Sequence, residues 1–138
     1  MDATLQTREL FASISTASPL SAEVLAEAVT VLAACEQTVT ACAVGMLTEK
    51  DADELRPAVS QDLDCADVTA ATRRILTRGT THDPELLLAQ VEACRIACQR
   101  SHDLCVRQAN HHEHCRLCAE ATQQAVRICR TVLDLARS

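Results

Sequence analysis

The sequence predicts an all-α protein, an antiparallel four-helix bundle with a short extra N-terminal helix. The 138 residues include only 2 Gly, 3 Pro and 1 aromatic residue, although 48% are hydrophobic. This composition disfavours sheets, which are rich in aromatic and β-branched residues, and favours packed helices. Apolar residues also recur at helical spacing in four long segments joined by short connections. We expect one domain over residues 1–138, with the accessory helix in 1–18 and the bundle in 21–137.

The first two helices have recognisable limits. A short amphipathic segment runs from Thr4 to about Thr16, and the Ser18–Pro19 pair ends it. The second helix begins near Ser21, whose hydroxyl is a plausible N-cap, and ends near Thr48.

The third helix is predicted from about Asp51 to Arg78, with Gly79 as its C-terminal cap. Pro57 is tolerated only in or near the first turn, so it is a candidate for a kink. The inner surface of this helix is predicted to consist of Leu55, Val59, Leu63, Cys65, Val68, Thr72, Ile75 and Leu76.

The fourth helix has the clearest start, because Asp83 supplies a capping carboxylate before Pro84 at the first helical position. It continues to about Asn110. The fifth helix begins within His111–Glu113 and continues to Ala136.

Charge and cysteine content exclude several classes of function. The formal net charge is -6, from 13 basic and 19 acidic residues, so nucleic acid is not an expected partner. The acidic start lacks the features of a secretory signal, and we expect no apolar run long enough to span a membrane. We therefore expect a cytoplasmic protein with no membrane partner. Thiols there are reduced, so nine cysteines indicate metal binding or burial rather than a disulfide framework.

The cysteines follow one template, with core positions at offsets 0, 4, 7 and 11 along a helix. Six of the nine lie between Cys94 and Cys129, in sequence that is otherwise helical. One set of template positions falls on each long helix: Cys35, Val39, Cys42 and Met46; Cys65, Thr69, Thr72 and Leu76; Cys94, Cys98, Ser101 and Cys105; and Cys118, Thr122, Ala125 and Cys129, with Cys115 one step earlier. This regularity predicts a stripe of thiols on the inner face of every helix.

From Cys35 to Cys129 the chain resembles the cysteine-rich four-helix-bundle copper storage proteins. The segments that carry the resemblance are Asp64–Val68, Glu92–Cys105, His114–Ala121 and Cys42–Glu49, where Met46 stands in the place of a second cysteine. The resemblance implies Cu(I) bound on inward-facing thiolates and, for cytosolic members, assembly as a homotetramer. It also implies that His111 and His114 lie near the end where copper enters.

The chain departs from the family pattern at several template positions where richer members have room for thiols: Val39, Met46, Thr69, Thr72, Leu76, Ser101, Thr122 and Ala125. We therefore expect reduced capacity. With two unshared thiolates per ion, nine cysteines hold about four Cu(I) ions, and bridging sulfur raises this number.

We thus expect a non-catalytic Cu(I)-binding protein for storage, buffering or detoxification. The predicted ligands are Cys35, Cys42, Cys65, Cys94, Cys98, Cys105, Cys115, Cys118, Cys129, His111, His114 and Met46. Cysteines one turn apart, such as Cys94 and Cys98 or Cys115 and Cys118, point the same way and can share an ion. The preferred site is expected between the fourth and fifth helices, near His111–Cys118.

Other interpretations stay open. Zinc is the nearest rival metal, because Cys115 and Cys118 form a Cys-x2-Cys pair near His111 and His114. An iron–sulfur cluster has no supporting loop motif. A structural or interaction bundle without metal would bury the thiols as small hydrophobic groups. In that case Met46 is a core residue and the histidines form a solvated helix junction. His82 is expected to be uninvolved, and the role of His102 is undecided.

Overall fold

A computed structural model describes residues 3–14, 20–79 and 83–138. The helices are α1 (Ala3–Ala12), α2 (Ala22–Leu47), α3 (Arg56–Thr77), α4 (Pro84–Gln108) and α5 (Glu113–Arg137). The predicted break at Ser18–Pro19, the predicted end of the first helix at Thr16, and His82 lie outside the described residues.

The four long helices form a ring in which α2 packs on α3, α3 on α4, α4 on α5 and α5 on α2. The directions of the helices follow from which residues lie at the same height along the bundle axis. Cys35, Cys65 and Cys98 lie together at one level, and Cys42, Asp62 and Cys105 lie together at another. Residue numbers therefore rise along α2 and α4 where they fall along α3, which is the antiparallel arrangement. The predicted fold class is confirmed.

Local sequence signals fix most of the helix ends. The Ser21 hydroxyl accepts a hydrogen bond from the Val24 amide (3.2 Å), and the Asp83 carboxylate accepts one from the Leu86 amide (3.1 Å). Gly79 has a φ of 68°, in the left-handed region that favours glycine, and follows the end of α3. The predicted caps at these three positions are therefore present.

The start of α3 differs from the prediction. Residues 48–55 form turns in which the Ala52 amide bonds to the Glu49 carbonyl and the Leu55 amide to the Ala52 carbonyl, so the helix begins only at Arg56. Pro57 then occupies the first turn, where its missing N–H has no helical partner to lose, and it does not kink the helix.

One residue predicted for the inner surface of α3 is misplaced. Leu63 is 47% exposed, whereas the neighbouring Asp62 is fully buried. Asp62 lies three residues before Cys65 and therefore on its helix face, while Leu63 is rotated by about 100° toward solvent. Hydrophobicity alone pointed to the wrong residue of this pair.

Helix α2 is long and apolar enough to cross a membrane, by length and composition only, so the expectation that no segment meets this criterion was wrong. Its partners in the bundle provide a physical reason for this composition. The helix packs against α1, α3 and α5 and is therefore apolar over a wide arc.

The core has large side chains at its ends and small ones in its middle. At the end that holds the start of α2, the buried side chains include Leu25, Leu32, Leu76, Leu87, Val91 and Leu133; we name this the aliphatic end. The opposite end holds His112 and His114; we name it the histidine end. Between them the buried side chains are mainly thiols, hydroxyls and alanines. The accessory helix is attached to the outside through Phe11, which is 2% exposed.

We predict that Phe11→Ala lowers the free energy of unfolding by about 3 kcal/mol, because it removes a buried aromatic side chain. Urea unfolding followed by circular dichroism measures the change. Leu10→Ala is the matched control, since Leu10 is 54% exposed, and it should cost less than about 0.5 kcal/mol. Equal effects of the two substitutions would show that α1 does not dock through Phe11.

Candidate metal centre

All nine cysteines are free thiols, and each is at most 1% exposed. The non-cysteine template positions are buried too: Val39, Met46, Thr69, Thr72, Leu76, Ser101, Thr122 and Ala125. The positions of the cysteine template therefore face the core on all four helices. The thiols divide into two clusters at different depths.

The first cluster, the histidine-end cluster, comprises Cys42, Asp62, Cys105 and Cys118, with Cys115 and His114 beside it. The Cys105 and Cys118 sulfur atoms are 3.0 Å apart, and Cys42 Sγ is 3.8 Å from Cys115 Sγ. Each of these pairs joins two helices. The four donors of the cluster lie within 4.8 Å of one another.

The second, inner cluster comprises Cys35, Cys65 and Cys98, whose sulfur atoms also lie within 4.8 Å of one another. Cys65 Sγ is 3.7 Å from Cys98 Sγ. Thr69 Oγ1 connects this cluster to Cys94, lying 3.7 Å from the Cys98 sulfur and 3.8 Å from the Cys94 sulfur. Interaction with Cys129 lowers the pKa of Cys94, which places the Cys129 thiol beside this group as well.

The closest thiol partners come from different helices. Cys115 and Cys118, expected to share an ion, take part in different groups: Cys115 with Cys42 and His114, and Cys118 with Cys42, Asp62 and Cys105. Cys42 belongs to both groups although its helix offers no second cysteine one turn away. A template read along single helices cannot reveal partners that face each other across the bundle.

Asp62 is a buried carboxyl group that the sequence analysis missed. Its Oδ1 accepts a hydrogen bond from the Ser101 hydroxyl (2.5 Å) and lies 3.4 Å from Cys105 Sγ and 3.7 Å from Cys118 Sγ. Extending the template by one step would have found it, because Asp62 precedes Cys65 by three residues as Cys115 precedes Cys118.

Burial raises the pKa of Asp62 to about 8, and the nearby charge of Cys105 acts in the same direction. The thiols influence one another's ionisation as well. Hydrogen bonds from Cys118 and Cys42 lower the pKa of Cys105, and the same interaction with Cys105 raises the pKa of Cys118 and of Cys42.

The inner cluster shows the same division between thiols. Hydrogen bonds from Cys35 and Cys98 lower the pKa of Cys65, while those with Cys35 and Cys65 raise the pKa of Cys98. In both clusters a favoured thiolate is thus surrounded by thiols that keep their protons. Binding a cation on the remaining thiols must release those protons.

The histidines have distinct positions. His114 Nδ1 lies 3.4 Å from Cys42 Sγ and 3.6 Å from Cys115 Sγ, which joins this residue to the histidine-end cluster. His111 is exposed and belongs to none of the donor groups found among the described residues. His112, which was not among the predicted ligands, lies with Glu49 and His114 in a separate group. His102 Nδ1 donates to the Ala119 carbonyl (2.8 Å) and so connects α4 to α5.

Gly45 explains how His114 reaches the thiols. A Cβ atom added at Gly45 would lie 3.2 to 3.3 Å from three atoms of the His114 ring, so the imidazole packs directly on the α2 backbone. Glycine within a helix lowers stability by about 0.5–1 kcal/mol relative to alanine. The close approach of the His114 ring supplies a reason for a glycine at position 45.

The fold and the donor set define a class: a four-helix bundle whose core is lined by free thiols, in groups close enough together to hold a metal ion. The family model of the copper storage proteins matches residues 19–134, and the chain belongs to that family. Comparison with curated proteins gives no match.

Solved structures give the same result. The copper storage protein Ccsp from Streptomyces lividans, loaded with 10 copper equivalents, has a TM-score of 0.87 and 34% identity, over 93% of this chain and 98% of that one. A structure described as copper loading to a cytosolic copper storage protein from Streptomyces lividans, with five coppers, has a TM-score of 0.79 and 38% identity, over 81% of this chain and 93% of that one. A variant of Ccsp with one histidine replaced by alanine has a TM-score of 0.83 and 34% identity, over 86% of this chain and 99% of that one.

We predict that Asp62→Asn becomes progressively more stable relative to the wild type as the pH rises from about 4 to about 8. The pKa of Asp62 is raised from 3.8 to about 8. The stability that the neutral carboxyl group contributes is therefore complete below the pKa of the unfolded state, and it is lost as the pH rises through the pKa of the folded state. The relative gain is at most about 1.4 kcal/mol per pH unit. Denaturant titrations of the two metal-free, reduced proteins measure it, and a pH-independent difference would show that Asp62 ionises normally.

We also predict that Gly45→Ala displaces the His114 imidazole from Cys42 and Cys115, while stability changes by no more than about 1 kcal/mol, because improved helix propensity offsets the contact. Histidine ring chemical shifts in the metal-free protein report the displacement. Val44→Ala, at an exposed neighbouring position on α2, is the control and should leave those shifts unchanged. Unaltered His114 shifts in Gly45→Ala would mean that the ring does not pack on Gly45.

Proposed function

We propose that this protein holds copper as Cu(I) on the thiolates of its core, for storage, buffering or detoxification in the cytoplasm. The observation that carries the proposal is the complete burial of nine free thiols on the inner faces of four helices. The relatives from Streptomyces lividans, one of them described as cytosolic, are copper storage proteins. A storage role is non-enzymatic.

The donor chemistry supports Cu(I) as the stored ion. Cu(I) is soft, prefers thiolate, and often binds with only two or three ligands. The inner cluster supplies three thiols, Cys35, Cys65 and Cys98, from three different helices. Such a set satisfies Cu(I) without a fourth donor, whereas zinc favours four ligands in a tetrahedron.

The histidine-end cluster is the proposed first binding region. It combines the Cys42 and Cys115 thiols with His114 Nδ1, and a surface depression lined by His114 and Leu117 leads to Cys42. Met46, one turn beyond Cys42 and fully buried, is a further soft donor at this end. We propose that His111 and His114 assist copper uptake, and the positions favour His114 as the residue that reaches the thiols.

Capacity is proposed to be modest, because hydroxyl and apolar side chains occupy eight buried template positions. If each ion takes two thiolates and no sulfur is shared, nine thiols hold about four ions. Sulfur atoms that bridge two ions increase this number. By resemblance to the family, the protein is proposed to be a homotetramer, with copper ions as its partners and neither nucleic acid nor membrane.

A structural zinc site is the second candidate, and one observation favours it. Cys42, Asp62, Cys105 and Cys118 offer three sulfurs and one oxygen within 4.8 Å of one another, a number of donors that matches tetrahedral zinc. Elemental analysis of protein expressed with added copper or added zinc distinguishes the two metals. Zinc that survives purification and resists displacement by Cu(I) would favour this alternative.

The direct test is anaerobic titration of the reduced protein with Cu(I) in competition with a chromophoric chelator. Tight uptake of several ions is the expected result. Absence of uptake would refute the function and favour a bundle that buries its thiols only as small hydrophobic groups.

We predict that Thr69→Cys increases the amount of tightly bound Cu(I) by roughly half to one ion per chain. Thr69 Oγ1 already lies within 3.7 to 3.8 Å of the sulfurs of Cys65, Cys94 and Cys98, so the new thiol joins the inner cluster. The same competition titration measures the increase. Thr40→Cys, on the exposed face of α2, adds an equally reactive thiol without neighbours and should add no tight site; equal gains in both variants would contradict the assignment.

A further inference from the structure

Glu49 contacts the outer nitrogen of His114. The glutamate lies in the turn that follows α2, and its Oε1 is 3.0 Å from His114 Nε2. The other ring nitrogen, Nδ1, faces the sulfurs of Cys42 at 3.4 Å and Cys115 at 3.6 Å. The imidazole therefore stands between a carboxylate on the solvent side and two thiols on the core side.

This contact determines which nitrogen carries the proton in the neutral ring. A carboxylate only accepts hydrogen bonds, so His114 Nε2 must donate to Glu49. The neutral imidazole has a single N–H, and Nδ1 is then left with a free lone pair directed at the thiols. A lone pair at this position is what a metal ion needs from a histidine ligand.

The neighbours of the ring restrict its rotation. The backbone at Gly45 packs against one side of it. The His112 ring is stacked with it, with centroids 5.4 Å apart and an interplanar angle of 13°. His112 is itself held by Asp51, with 3.2 Å between Nε2 and Oδ2, and its Nδ1 lies 3.5 Å from the same Glu49 oxygen that contacts His114.

We propose that Glu49 is a positioning residue, which fixes the tautomer and orientation of His114 so that Nδ1 acts as a copper ligand beside Cys42 and Cys115. The inference rests on the proposed function for the identity of the ion. Carboxylates that hold the second nitrogen of a metal-binding histidine in this way typically contribute 10–100-fold to metal affinity.

The first experiment uses the metal-free, reduced protein. Long-range ¹H–¹⁵N correlation spectra of the histidine rings report the tautomer of His114, and we expect the proton on Nε2 in the wild type. Glu49→Ala should produce a mixture of tautomers. Glu49→Gln, which keeps an acceptor oxygen without the charge, should give an intermediate result. A wild-type proton on Nδ1 would overturn the proposal.

The second experiment measures Cu(I) affinity for the first ion bound, by chelator competition. Glu49→Ala should weaken it by roughly 10–100-fold, with Glu49→Gln between Glu49→Ala and the wild type. Glu54→Ala is the matched control, because Glu54 is an exposed glutamate of the same turn, and it should change neither affinity nor tautomer. Unchanged affinity in Glu49→Ala would overturn the inference even if the wild type binds copper well.

The two measurements separate this inference from the proposed function. If the wild type takes up no Cu(I), the function is refuted, and the tautomer spectra alone decide whether Glu49 orients the ring. If the wild type takes up Cu(I) and Glu49→Ala behaves like Glu54→Ala, the function stands and the role of Glu49 is refuted.

Discussion

The burial of nine thiols along a single axis is the constraint on which the rest of the structure depends. A thiol is a small hydrophobic group with weak hydrogen-bonding capacity, so the middle of the core gains less from burial than a leucine core of equal length. Large side chains are buried at both ends, among them Leu25 and Leu32 at the aliphatic end and Met46 and Leu55 at the histidine end. The large side chains therefore pack the helices together on either side of the thiol clusters.

The same constraint explains the polar groups among the thiols. Asp62 is tolerated in the interior because Ser101 donates to it and because burial raises its pKa toward the neutral form. The hydroxyls of Thr69 and Thr72 have partners as well: Thr72 donates to the Val68 carbonyl and accepts from Gln90 of α4, and Thr69 lies beside the sulfurs of Cys65, Cys94 and Cys98. Among the described residues no buried side-chain nitrogen or oxygen lacks a partner. The core is therefore a connected network of weak donors and acceptors, and binding a cation to its thiols releases protons.

Features that depend on neighbours along one helix were predictable from the sequence. The caps at Ser21 and Asp83 rest on a side chain and an amide three residues apart, and the inner face of each helix follows from its 3.6-residue period. Features that depend on packing between helices could not be predicted from the sequence. The pairing of Cys42 with Cys115 requires the relative height of α2 and α5, which no local pattern contains. The contrast between exposed His111 and half-buried His114 depends on the residue at which α5 begins.

The distribution of large side chains along the axis has a consequence for the order in which ions exchange. The inner cluster lies between the aliphatic end and the histidine-end cluster. If copper enters and leaves at the histidine end, as proposed, an ion at Cys35, Cys65 and Cys98 would have to pass the histidine-end thiols. On that proposal storage would work as a stack, in which the ion bound last is released first and the deepest ions form a slowly exchanging reserve.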